Sequence, residues 1–187
     1  MDEIPSIGLT ESQMRALDSS WRGWFLKNQE IRIMRKMLRN AGISLEGKVI
    51  MDAGCGSGLG TKYLLEALAP SKMIAFDYMP EQIALAKTKG LPVDFYVGDM
   101  RRLDLPDNCL DACFAITVLH HIPDWPKAVK EAARLLRKGG IFVVEEPQED
   151  TFGWAKFEAA VKANGFEILD MRYSVPFVMR SYLCRKL

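Results

Sequence analysis

Apolar positions in this chain follow two periods in turn, and the change from one to the other divides it. Over the first 47 residues Trp21, Trp24, Phe25, Ile31, Met34 and Leu38 recur at helical spacing, with Arg32, Arg35, Lys36 and Arg39 largely between them. That pattern predicts an amphipathic helical arm ending at Gly42. Thr10 with Gln13 resembles a capping box at its start. From Lys48 onward, short apolar runs alternate with helical stripes. Residues 49–51 read as a buried strand, followed by Asp52-Ala53-Gly54-Cys55-Gly56-Ser57-Gly58 and a helix through Leu64, Leu65 and Leu68. Residues 73–77 make a second strand, 80–87 a helix closed by Gly90, 93–97 a third strand and 110–116 a fourth. Asp124 is placed to cap a helix whose Trp125, Val129, Ala132, Ala133 and Leu136 share one face, closed by Lys138 and Gly139-Gly140. Residues 141–144 then give a fifth strand, 152–163 a helix, and 166–169 and 182–184 two last strands without a helix between them.

This alternation implies an α/β fold with a Rossmann-like, doubly wound, seven-stranded sheet. The sheet is mostly parallel, and the short final connection makes the last strand antiparallel. A length of 187 residues suits a single domain. Within it, residues 1–47 form the N-terminal helical arm and residues 48–187 the core.

Composition narrows the partners. A formal net charge of +1 gives no global field for a polyanion, and no run of like charges reads as an interaction tail. Met1-Asp2-Glu3-Ile4-Pro5 lacks a basic and apolar leader, and no apolar run reaches membrane-spanning length. The expectation is a cytoplasmic protein with no membrane partner, whose charge gives no support for a nucleic-acid partner. The cysteines at positions 55, 109, 113 and 184 have no CxxC pair and no accompanying histidine cluster. They read as reduced thiols, and no metal site is expected.

In a doubly wound sheet, ligands sit where the strand order reverses, beyond the first strand. Gly54, Gly56 and Gly58 alternate there, and the helix beginning near Leu59 offers free amide groups. Alone, such a turn also serves as a plain strand-to-helix connection. Asp77 closes the second strand, where a carboxylate can accept from two ribose hydroxyls. Asp99 closes the third strand, where it could accept from an exocyclic amine of a base or cap the next segment. A dinucleotide-binding turn fits less well, because Leu59 stands where the third glycine of GxGxxG belongs. A buried Asp52 is also unfavourable beside a pyrophosphate and suited to a cationic ligand.

Together, Asp52 to Gly58, Phe76-Asp77-Tyr78-Met79, Val97-Gly98-Asp99-Met100, Leu110-Asp111-Ala112 with Leu119-His120-His121-Ile122, and Leu135-Leu136-Arg137-Lys138-Gly139-Gly140 resemble the class I S-adenosylmethionine-dependent methyltransferases. The similarity is to the small-molecule branch that includes ubiquinone and menaquinone biosynthesis enzymes, and it covers residues 48 to about 146. The resemblance implies S-adenosylmethionine as cofactor and S-adenosylhomocysteine as product. Asp52, Gly54, Cys55, Gly56 and Gly58 would surround the methionine portion and Asp77 would hold the ribose. Tyr78 and Met79 would flank adenine, Asp99 and the Met100 amide would read its edge, and the backbone of Ala115, Ile116 and Thr117 would receive the ammonium.

A sulfonium methyl is already activated, so the protein mainly aligns an oxygen, nitrogen or carbon acceptor and excludes water. Where the acceptor must lose a proton, His120, His121, Glu145 and Glu146 are candidates by their place after the fourth strand and at the end of the fifth. The loops at 147–150 and 174–180 are too short to build a substrate domain. The N-terminal arm is therefore the main available cover, with Trp21 and Trp24 as its candidate aromatic walls, although helical core packing is the commoner fate of such a stripe. A small molecule is the expected acceptor. A protein or RNA acceptor, and a catalytically silent cofactor-binding regulatory subunit, stay open, as does a homo-oligomer or partner protein completing an open site.

Overall fold

A computed structural model of the chain describes residues 29–148, 152–175 and 178–187. Trp21, Trp24 and the Thr10–Gln13 motif lie outside these residues. In chain order the elements are α1 (Ile31–Asn40), β1 (Val49–Ala53), α2 (Leu59–Leu68), β2 (Lys72–Asp77), α3 (Pro80–Thr88), β3 (Asp94–Val97) and β4 (Leu110–Ile116). They continue with a short 3-10 turn (Leu119–His121), α4 (Pro126–Leu135), β5 (Leu136–Pro147), α5 (Trp154–Ala163), β6 (Phe166–Val175) and β7 (Met179–Lys186).

The strands form one seven-stranded sheet in the order β3-β2-β1-β4-β5-β7-β6. The β1–β2, β1–β4, β2–β3 and β4–β5 pairs are parallel, and β7 runs antiparallel to both neighbours. The order reverses between β1 and β4, so their C-terminal ends open a crevice.

Side chains alternate across the pleat and fill two layers. Ile50, Met73, Ala112, Phe114, Val143 and Leu183 meet α1 and α2 on one side. Met51, Ile74, Cys113, Phe142 and Tyr182 meet α4 and α5 on the other. Of the helical stripe read from the sequence, Ile31, Met34 and Leu38 lie among the described residues and are buried in this core, and Met37 of α1 joins them. Over residues 31–40 the arm therefore packs as core. Among the described residues, no helix is long and apolar enough to cross a membrane.

Three local expectations are corrected. Asp124 does not cap α4 with its side chain: the N-cap is Trp125, and Asp124 has φ +59° and pairs with Lys127 at 2.7 Å. Leu136 leaves the helix and opens β5 opposite Leu110, and Gly139 at φ +77° belongs to the register shift that follows. The last two strands are also longer than their apolar runs suggest, leaving only residues 176–178 to connect them.

Candidate active site

β1 delivers Asp52 to the crevice, and the chain then turns through Gly54, Gly56 and Gly58 at φ +77°, +52° and +82°. Gly54 is demanded twice over. Besides its left-handed backbone, a Cβ there would lie 2.2 Å from Val118 Cγ2. The turn is tied to β2 by Gly54 and Cys55 N–H groups donating to the Phe76 carbonyl at 2.7 and 2.8 Å.

Two carboxylates stand beside it. Asp52 is 4% exposed and accepts from the Thr61 hydroxyl at 2.6 Å. Burial pushes its carboxyl up to about 6, opposed by the Thr61 hydrogen bond and reinforced by the nearby charge of Asp77. Asp77 Oδ2 accepts from Gly56 N at 2.8 Å and Oδ1 from Met79 N at 2.9 Å. Burial raises Asp77 above the ordinary carboxylate range, against the pull of those backbone donors. Burial also drives the Cys55 thiol far up, with Asp52 and Asp77 adding to the effect, so it is a neutral thiol.

Asp99 lies across the cleft and is already engaged. Arg101 donates to it through Nε at 3.0 Å to both oxygens, through a terminal nitrogen at 2.6 Å and through its backbone N–H at 2.9 Å. Burial pushes the Asp99 carboxyl up, but the Arg101 contacts outweigh it and hold it below its ordinary value.

The turn after β4 forms another wall. Thr117 is β-branched yet has φ +53°, and it is held by its N–H donating to the Glu145 carbonyl at 2.7 Å. A side chain of that type in the left-handed region is strained, and such strain concentrates at ligand clamps and active sites. Glu146 underpins the turn from inside: Oε1 accepts from Val118 N at 2.9 Å and Leu119 N at 2.6 Å, and Oε2 meets His120 Nδ1 at 2.5 Å. Glu145 accepts from the Ser181 hydroxyl within the core. The His120 and His121 rings lie 3.8 Å apart between centroids.

Of the residues singled out from sequence, Asp52, Gly54, Cys55, Gly56, Asp77, Tyr78, Met79, Asp99, Met100, Ile116, Thr117 and His121 line one shared cleft. Gly58 instead starts α2, where a Cβ would sit 3.1 Å from that of Ala86. Ala115 is buried in β4, and His120, Glu145 and Glu146 stand behind the wall. Sequence reading missed Gln82, Arg101, Val118, Ile122 and Pro123, which also line the cleft. A polar Gln82 on the same helical face as Ile83 and Ala86 was the one signal available for it.

Comparison with known proteins gives a consistent result. A family described as a methyltransferase domain matches residues 51–144. A phthiotriol/phenolphthiotriol dimycocerosates methyltransferase of Mycobacterium tuberculosis is 30% identical over 142 residues, covering 74% of this chain and 52% of that protein. A malonyl-[acyl-carrier protein] O-methyltransferase of Serratia marcescens is 30% identical over 112 residues, covering 60% of this chain and 43% of that one. The chain spans half or less of the length of several curated relatives it matches. In fold, a SAM dependent methyltransferase from Aquifex aeolicus superposes with a TM-score of 0.78 at 20% identity, covering 96% of this chain and all of that one.

Proposed function

This chain belongs to the methyltransferase domain family, and from that premise we propose that it is an S-adenosylmethionine-dependent methyltransferase acting on a small-molecule acceptor. The observation that carries the reading is the pair Asp52 and Asp77 around one glycine turn. A buried carboxyl raised to about 6 is costly in an empty cleft and favourable beside a cation. Asp77 closes β2 with each oxygen fixed by a backbone donor, leaving further lone pairs for hydroxyl groups. These residues fit a cationic nucleoside.

When bound, S-adenosylmethionine supplies an electrophilic methyl on a sulfonium, so no protein nucleophile is needed. This chain's residues bind, orient and exclude water. Asp77 holds the ribose, and Asp52 with the backbone around Thr117 holds the charged amino acid portion. Tyr78 and Met79 flank the base, and the Met100 amide reads its edge beside Asp99, whose acceptor capacity is shared with Arg101. Ile116, Val118 and Ile122 keep the acceptor side dry. His121 is the proton acceptor for substrates that must ionise. Glu146 and His120 act through it by position, since neither lines the cleft.

The names of two relatives, one for phthiotriol esters and one for a malonyl group on a carrier protein, support a small or carrier-borne acceptor. A groove lined by Arg32, Arg35 and Arg39 on α1 favours, as a second reading, a polyanionic acceptor such as RNA. Methyl-labelled S-adenosylmethionine offered with small alcohols, phenols, amines and carboxylic acids, and separately with protein and RNA, tests both. Label is expected in the small-molecule fraction. Label only in RNA or protein overturns the acceptor class, and cofactor binding without any transfer supports a silent regulatory subunit.

A further inference from the structure

The outer face of α1 has a charge that the cleft does not use. Residues Ile31–Asn40 carry Arg32, Arg35, Lys36 and Arg39 and no carboxylate. All four cations are exposed, and none forms an ion pair among the described residues. Like charges three and four positions apart oppose a helix, so the apolar packing of Ile31, Met34, Met37 and Leu38 holds these cations together against their repulsion. Three of them converge: Arg32, Arg35 and Arg39 line a groove against Tyr63, Glu66 and Ala67 of α2.

Those α2 positions continue a line that begins in the cleft. Leu59 and Gly60 line the cleft, and Tyr63, Glu66 and Ala67 follow them on the same face of the helix, away from the buried Thr61, Leu64 and Leu68. Leu59 and Tyr63 are separated by about 6 Å of helical rise. An elongated molecule lying along α2 therefore has one end in the cleft and the other among the arginines. We propose that this groove is a binding subsite for a phosphate-bearing tail of the methyl acceptor, whose reacting end lies in the cleft. The inference rests on the small-molecule reading of that acceptor. Each guanidinium presents a fork of N–H donors that engages two phosphate oxygens at once. Three such forks match the several negative charges of a diphosphate better than the single charge of one carboxylate. A long polyanion fits less well: the chain's net charge is only +1, and Glu66, 4.0 Å from Lys62, places a negative charge inside the groove.

Calorimetric titration of pyrophosphate and of hexyl diphosphate into the full chain at low ionic strength, with and without saturating S-adenosylhomocysteine, tests this. Pyrophosphate is expected to bind at one site per chain in both conditions. R35Q should weaken it at least about 5-fold, the upper end for an exposed ion pair, and E66Q should tighten it about 2-fold. K138Q, which removes an exposed cation on β5, should leave it unchanged. Hexyl diphosphate should bind more tightly than pyrophosphate, because its chain reaches the apolar wall of the cleft. Where R35Q does not fold, R39Q takes its place. Absence of pyrophosphate binding, or equal losses in R35Q and K138Q, overturns the proposal. Displacement of pyrophosphate by S-adenosylhomocysteine also overturns it, since the anion then sits in the cofactor's place. Hexyl diphosphate binding no tighter than pyrophosphate removes the link to the acceptor and overturns it as well. A single-stranded RNA oligonucleotide that binds more tightly than either and is lost in R35Q overturns it in favour of a nucleic-acid surface. Methyl label found only in protein or RNA is a separate result, the failure of the small-molecule reading itself.

Discussion

Asp52 and Asp77 share one cleft, and burial acts on both in the same direction. For Asp52 the carboxyl ionises at about 6 in the folded chain against 3.8 without the fold. Between those values the folded chain binds more protons than the unfolded one, so this group lowers stability as pH rises through the window. The penalty is complete above about 6, where the shift corresponds to roughly 3 kcal/mol. Asp52→Asn should therefore melt at a higher temperature than the unaltered chain near pH 7.5, with the difference gone below about pH 4. A cationic ligand reverses the balance by favouring the ionised carboxylate. Affinity for S-adenosylmethionine should rise between about pH 5 and 7.5, with proton release measurable by calorimetry in buffers of different ionisation enthalpy. A flat profile in the unaltered chain would remove Asp52 from the site. Asp77→Ala removes hydrogen bonds to a charged group, and a loss of about 12- to 160-fold in S-adenosylhomocysteine affinity is expected in a folded chain.

At the scale of elements, the turn after β1 and the turn after β4 are built against each other. Gly54→Ala combines a left-handed backbone penalty of about 1–2 kcal/mol with the overlap against Val118, about 1–3 kcal/mol as overpacking. Val118→Ala should relieve the overlap with the two γ carbons, leaving the 2.7 Å approach to the Cβ of residue 118 and the backbone penalty. The double variant is then less destabilised than the sum of the singles, and strict additivity in denaturant titrations would contradict the contact. α1 buries Ile31, Met34, Met37 and Leu38, each contributing about 1.5–3 kcal/mol. That sum rivals the whole stability of a domain, about 5–15 kcal/mol, so deleting residues 1–42 should abolish the cooperative melting transition. A folded remnant would contradict the core role of α1. The glycine turn and the strands around it were legible because period, turn residues and closing carboxylates agreed there. The end of α4 was not, because Leu136 continues the helical stripe while its partner Leu110 lies far off in sequence. Asp124 looked like a cap because spacing does not reveal its φ of +59°.

For the molecule as a whole, the strand order places the ends of β1, β2, β3 and β4 around one crevice, and the residues proposed to bind the cofactor come from all four. That convergence was readable from sequence, since each of these strands ends in a recognisable residue or turn. Partner contacts within the cleft were not. The Arg101 fork on Asp99, the burial of Glu146 behind the wall and the place of Gln82 in the cleft lining depend on side-chain direction, which spacing leaves open. The central claim is that this crevice binds the methyl donor and its product. Titration of S-adenosylhomocysteine into the full chain by calorimetry, with NAD as the comparison ligand, tests it most directly. The expected result is saturable binding at one site per chain, weakened by Asp77→Ala, with NAD giving no comparable heat. Absence of saturable binding, or tighter binding of NAD, would contradict the account.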